Sequence, residues 1–168
     1  TLSAAAGKSD TSVVDFDDVR VAKVDASTNP DPNKYTYWED FENVDQGFGV
    51  FVSTESDQSH LSQKNPVNPE YTTDVIDGNY SLKIRAKDYM RTIPSTVRFK
   101  PNTEYKVGIE YKAPSANAFT FAVKSDKASK TLASAVANAQ SGKLVLEFTT
   151  GDEEDCYVDI TGQSSEYY

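Results

Sequence analysis

Apolar and polar residues alternate with a period of two along much of this chain. The clearest run is Glu104 to Lys112, where Tyr105, Val107, Ile109 and Tyr111 alternate with glycine and charged residues. That period is the signature of a strand with one buried face. Asn79 to Ala86 repeats it, with Tyr80, Leu82 and Ile84 set against Ser81, Lys83 and Arg85 after the turn signal Asp77-Gly78. Ala118 to Val123 carries Phe119, Phe121 and Val123 in alternation, Lys143 to Thr150 carries Leu144, Leu146 and Phe148, and Cys156 to Ile160 carries Cys156, Val158 and Ile160. Turn residues separate these runs. Chain order predicts two hairpin-like pairs, 104–112 with 118–123 and 143–150 with 156–160, the second across the acidic turn 151–155. Val13 to Val24 also alternates, with a slip at Asp17-Asp18 that suggests a bulge.

Other stretches are less regular. Arg91 to Phe99 reads as extended, with Pro94 confining it to an edge or bulge. Residues 25–34 and 1–12 read as linker and lead. Residues 53–73 read as a long irregular surface loop, the kind that often carries function. Residues 126–140 are ambiguous. Their alanines, with Asp126 as a possible N-cap and Gly142 as a stop, favour a helix. Lys130 to Val136 also suits a strand of small residues, and the all-β surroundings favour that choice. The densest stretch is Tyr37 to Val52, where Trp38, Phe41, Phe48 and Phe51 flank Glu39, Asp40 and Glu42. Its apolar residues can anchor a core while its acids face a turn, a metal or a ligand. Many short strands with no alternating helices predict an all-β jelly-roll sandwich.

Composition narrows the function. The 168 residues suit one domain with a real core, and eight Phe, ten Tyr and one Trp suit a pleated, half-buried surface. A net charge of −9 argues against nucleic acid and against an anionic membrane surface. No apolar run reaches the length of a membrane span. The single cysteine, Cys156, permits no internal disulfide, and its alternation with Val158 and Ile160 predicts a buried, inert thiol. The single histidine, His60, has no nucleophile elbow near it. The acids are plentiful, but none stands in a recognisable context for glycoside hydrolysis, so no catalytic residue is predicted. The Asp152 to Asp155 run is read as a solvated turn, and Asn79-Tyr80-Ser81 is a formal glycosylation sequon. Both termini read as cuts in a longer polypeptide.

The order of motifs resembles the galactose-binding-like sandwich modules of carbohydrate-active enzymes. The residues that carry the resemblance are Phe41-Glu42, Gly78-Asn79-Tyr80-Ser81-Leu82, Pro101-Asn102-Thr103-Glu104-Tyr105 and, out of place, Asp17-Asp18-Val19. The segments YWEDFENVDQGFGVFV, DVIDGNYSLK and RTIPSTVRFKPNTEY are similar, in that order, to an accessory module of bacterial endo-α-N-acetylgalactosaminidases. The resemblance covers about 37–160 and implies a galactose-binding-like jelly roll at 35–168. Residues 1–34 are then a linker plus one strand, closing either this module or the preceding one. It also implies a non-catalytic accessory module of a secreted or surface-attached glycosidase acting on mucin-type O-glycans, monomeric, with a glycan or the parent catalytic domain as partner. The alternative is a structural module that packs against the catalytic domain and binds no sugar.

Two sets of site residues follow from that expectation. Sugar binding needs an aromatic plate and a few polar groups for hydroxyls. Trp38, Tyr71 and Tyr89 are the aromatic candidates, with Tyr35 and Tyr37 in reserve, and Arg91, His60 and Asn65 are the polar ones. A lone Trp beside Phe41 is more often a core residue than a sugar platform. Sandwiches of this kind often hold a structural Ca²⁺, and the positions that match are Glu42, Asp18, Asp77 and Asn79.

Overall fold

The computed structural model describes residues 36–43, 49–53, 60–64, 75–84 and 89–163. Among them are nine strands and no helix: β1 (Phe51–Ser53), β2 (His60–Gln63), β3 (Tyr80–Lys83), β4 (Tyr89–Thr92), β5 (Glu104–Lys112), β6 (Phe119–Ser125), β7 (Lys130–Val136), β8 (Ser141–Thr149) and β9 (Cys156–Gly162). Five strands form one antiparallel sheet in the order β1-β4-β9-β6-β7. Strands β5 and β8 form an antiparallel ribbon, as do β2 and β3. The expected strand of 13–24 lies outside the described residues.

The core fills the space between the five-stranded sheet and the β5–β8 ribbon. Phe121, Met90 and Val123 are its largest fully buried apolar side chains. Phe119, Val158, Ile160, Leu146 and Phe148 surround them. Tyr111 of the ribbon meets Phe119 of the sheet edge to face, with ring centroids 5.1 Å apart. Phe99, Tyr105 and Phe148 form a second aromatic cluster with centroids 5.0–5.9 Å apart. Strand β3 and the residue after it add Leu82 and Ile84.

Both expected hairpins are replaced by crossings between the two layers. Strand β5 pairs with β8 from Glu104–Thr149 to Lys112–Ser141, while β6 and β9 pair with each other. Burial explains the choice. β6 and β9 are central strands covered on both faces, whereas β5 shows charge to solvent on one face. Strand β8 offers that face its complement: Lys106 meets Glu147 at 2.7 Å and Lys143 meets Glu110 at 3.1 Å, each pair directly across the ladder. The loops 113–118 and 150–155 carry the chain from one layer to the other.

Residues 130–136 form strand β7, as the all-β context suggests. Pairing with β6 overrides the helical propensity of its alanines. A register shift opposite Val123 and Lys124 marks a bulge in this edge strand. Asp126 caps no helix; it opens a turn in which the Ser129 amide donates to its carbonyl at 3.0 Å and Ser129 takes φ 47°.

Three other readings need correction. The 53–73 stretch is not wholly irregular, because His60–Gln63 pairs with β3. The 91–99 stretch is not extended throughout. β4 stops at Thr92, and a turn at Pro94 follows, in which the Thr96 and Val97 amides donate to the Ile93 carbonyl. In β3 the small Ser81, opposite Ser62, is buried, and its hydroxyl accepts the Ile76 amide at 2.9 Å.

Candidate functional site

Two places gather the candidate residues. The first is the turn closed by the Trp38–Glu42 segment. Each acid there serves as a local acceptor. Glu39 Oε1 accepts the Phe41 amide at 2.8 Å, which supports Phe41 at φ 63°, a conformation bulky residues rarely adopt. Asp40 Oδ1 accepts the Glu42 amide at 3.0 Å. Glu42 reaches across the fold: Oε1 accepts the amides of Asn79 at 2.7 Å and Tyr80 at 2.9 Å, and Oε2 accepts Asn79 Nδ2 at 3.0 Å. Gly78 has φ 61°, and a Cβ there would collide with the Glu42 carboxylate, so both conformation and space call for glycine. Trp38 is half-buried and Asp77 is exposed.

These two glutamates titrate in opposite senses. Burial pushes Glu39 above the ordinary carboxylate range, over the opposing Phe41 amide. Desolvation also acts on Glu42, but the Asn79 and Tyr80 amides, the Asn79 side chain and the Lys64 charge outweigh it and hold the carboxyl below that range. A depressed folded pKa gives stability that is complete above the unfolded value, about 4.3, and is lost as pH falls through the folded value. A raised one works the other way, so ionised Glu39 costs stability at neutral pH and the cost is relieved on acidification. The expected result is that Glu42→Gln lowers the neutral-pH melting temperature by roughly 2–4 °C, for on the order of 1 kcal/mol of partly exposed hydrogen bonding. Glu39→Gln, which keeps a carbonyl for the Phe41 amide, raises it. Both differences shrink below about pH 4 in thermal melts.

The second place is the outer face of the five-stranded sheet. The register lines up one transverse row across all five strands: Val52, Arg91, Asp159, Ala122 and Ser134. Flanking it is the row Tyr157, Lys124 and Thr131. Lys124 Nζ lies 2.6 Å from Asp159 Oδ2, which also accepts the Thr161 hydroxyl at 2.8 Å. Arg91 Nη1 lies 3.1 Å from Asp126 Oδ2, and the guanidinium sits over the Tyr157 ring at 5.3 Å. The Tyr157 hydroxyl donates to Asp126 Oδ1 at 2.7 Å. Burial, then this bond and the Asp126 charge, push the phenol up to about 12, so it stays a donor at neutral pH.

An open cleft of about 180 Å³ lies at this end of the sheet, lined by Val52, Arg91, Thr92, Ile93, Pro94, Asp126, Asp155 and Tyr157. Asp155 fixes its rim. The carboxylate accepts the Lys127 amide and the Ser125 hydroxyl, both at 2.8 Å, and the amide bond heads the causes that keep its pKa low. The acidic run is therefore more than a solvated turn. Asp152 accepts Asn102 Nδ2 at 2.8 Å and Glu153 accepts the Gly151 amide at 2.6 Å. Cys156 is buried, and burial raises its thiol pKa.

The expected sugar residues do not gather in one place among the described residues. Arg91 lines the cleft, and Trp38 belongs to the Glu42 segment. His60 opens β2 opposite Lys83, and Tyr89 opens β4 opposite Thr161. Tyr71 and Asn65 lie outside the described residues, as does Asp18 of the expected metal set. Glu42 and Asn79 meet directly, with Asp77 in the same turn. Among the described residues no three His, Cys, Asp or Glu side chains come close enough together to hold a metal. Sequence reasoning missed Asp126, Tyr157, Lys124 and Asp159. Asp159 standing between Val158 and Ile160 is the one signal that could have flagged them.

Residues 17–167 match the galactose-binding domain-like family, and the chain belongs to it. It is an all-β, galactose-binding-like module. A Renibacterium salmoninarum protein assigned as an endo-alpha-N-acetylgalactosaminidase is 30% identical over 135 residues, 72% of this chain, and the match spans 8% of that protein's length. A crystal structure of the CBM22-1 and GH10 modules of the Clostridium thermocellum N-terminal endo-1,4-beta-D-xylanase 10B, complexed with xylohexaose, aligns with a TM-score of 0.47 at 14% identity. That alignment covers 71% of this chain and 24% of the other. No helix among the described residues is long and apolar enough to cross a membrane.

Proposed function

We propose that this chain is a non-catalytic glycan-binding module of a secreted bacterial glycosidase acting on mucin-type O-glycans. In this reading it contacts sugar through the cleft at Arg91, Asp126 and Tyr157. One observation carries the reading: a guanidinium, a carboxylate and a phenol hold one another at a cleft whose wall is apolar at Val52, Ile93 and Pro94. Directional donors and acceptors beside apolar surface suit the hydroxyls and the C–H face of a pyranose. The cleft is smaller than the roughly 300–1,000 Å³ of an enclosing ligand site, which fits contact with one sugar unit and weak affinity. Clustered glycans compensate for such weakness through multivalency, which keeps a tethered catalytic domain close to its substrate.

Titration with galactose, N-acetylgalactosamine and the mucin core disaccharide, followed by backbone amide NMR, tests this. We expect saturable shifts at Arg91, Ile93, Asp126 and Tyr157 in the millimolar range. We expect Arg91→Ala to weaken them at least tenfold, since truncation removes a charged donor and leaves Asp126 held by the Tyr157 hydroxyl alone. No shifts with any of the three sugars would leave the purely structural role as the better account.

A further inference from the structure

The Glu42 turn has the outline of a cation site, yet the groups in it are arranged for a different positive charge. A calcium ion takes six to eight oxygen ligands from carboxylates, carbonyls and water. Here both Glu42 oxygens already accept N–H donors, two from the backbone and one from Asn79 Nδ2. Those donors present positive hydrogens to the carboxylate, which repel a metal drawn to the same lone pairs. The turn's own carbonyl is also engaged, because Lys64 Nζ donates to Gly78 O at 2.9 Å. The Lys64 charge acts on Glu42 as well. Lys64 directly follows β2, and its own amide donates to the Asn79 carbonyl at 2.8 Å. Its backbone is therefore fixed to the same turn that its ammonium reaches, which places the charge without a long, free side-chain search.

We propose that the Lys64 ammonium is the resident cation of the Glu42–Gly78 turn, so that protein groups alone hold this turn and it takes no divalent ion. Lys64 brings a positive charge near Glu42 and a donor to Gly78 O, so one lysine serves both groups. This inference is independent of whether the outer sheet face binds sugar.

Amide NMR of the 168-residue chain tests it. The Asn79 and Tyr80 resonances, which report directly on Glu42, stay in place when millimolar calcium chloride or EDTA is added. In Lys64→Met both resonances move and the melting temperature drops by roughly 2 °C, as expected for loss of one exposed charge-assisted hydrogen bond. Lys64→Arg, which keeps the charge and a donor, restores most of the loss. A saturable calcium-dependent shift of Asn79 and Tyr80 in the wild type overturns the proposal. So does a Lys64→Met variant in which neither resonance nor melting temperature changes.

Discussion

Phe121→Ala lowers the stability of the chain by about 3–5 kcal/mol, the range for truncating a buried Phe. The site explains why the upper half of that range applies. Phe121 is completely inaccessible and lies mid-way along β6, which is hydrogen-bonded on both sides, to β7 and to β9. Strands held on two sides cannot move inward to fill a void, so most of the cavity persists and its cost adds to the lost transfer energy. Domains of this size have only about 5–15 kcal/mol in total. Chemical denaturation should show the midpoint falling with an unchanged slope, and thermal melts a drop of roughly 8–20 °C. Val145→Ala serves as the control. Val145 is 59% exposed on the outer face of β8, over Gly108, and its truncation should change stability by less than about 0.5 kcal/mol.

Phe121 also shows what sequence patterning can reveal. Its alternation with Phe119 and Val123 places three apolar residues on one face, and the core accepts all three. Alternation reports the faces of a strand and says nothing about its partner. Partner choice was nonetheless written in the charges. Lys106 and Glu110 on β5 have their complements in Glu147 and Lys143 on β8, while β6 offers β5 no such row. Chain proximity argued for the wrong hairpins because it ignored which strands could tolerate burial on both faces. The Glu42 turn was readable for a local reason: a Gly after an Asp marks a tight turn, and its free amides need an acceptor. The outer sheet face was harder to read. Arg91 stands three residues before Pro94, but Asp126 and Tyr157 come from the β6–β7 turn and β9, separated from Arg91 by 35 and 66 positions, and only the strand order brings them together.

The second large effect is expected on that face. Lys124→Met should destabilise the chain by about 2–4 kcal/mol, because it leaves Asp159 as an unpaired charge in a place from which water is largely excluded. The Asp159 side chain is 4% exposed and Lys124 is 34% exposed, so the lysine end is partly screened and the estimate sits below the full buried-pair value. The remaining bond from the Thr161 hydroxyl offsets part of the loss but brings no charge. Combining Lys124→Met with Asp159→Leu removes both charges and should recover most of the stability, since a buried pair contributes little net energy compared with apolar residues that fill the same space. A double-mutant cycle from urea melts would then give a coupling well above the roughly 0.5 kcal/mol expected of independent sites. Sugar titration of the doubly substituted chain separates two reasons for keeping the pair. Asp159 stands directly across the ladder from Arg91, so an ionised pair beside the guanidinium can hold it in the orientation that meets Asp126 and Tyr157. If stability returns while the sugar-dependent shifts at Arg91 are lost, the pair serves the cleft. If both return, its role ends at the strand it anchors, and Arg91 takes its orientation from Asp126 and Tyr157 alone.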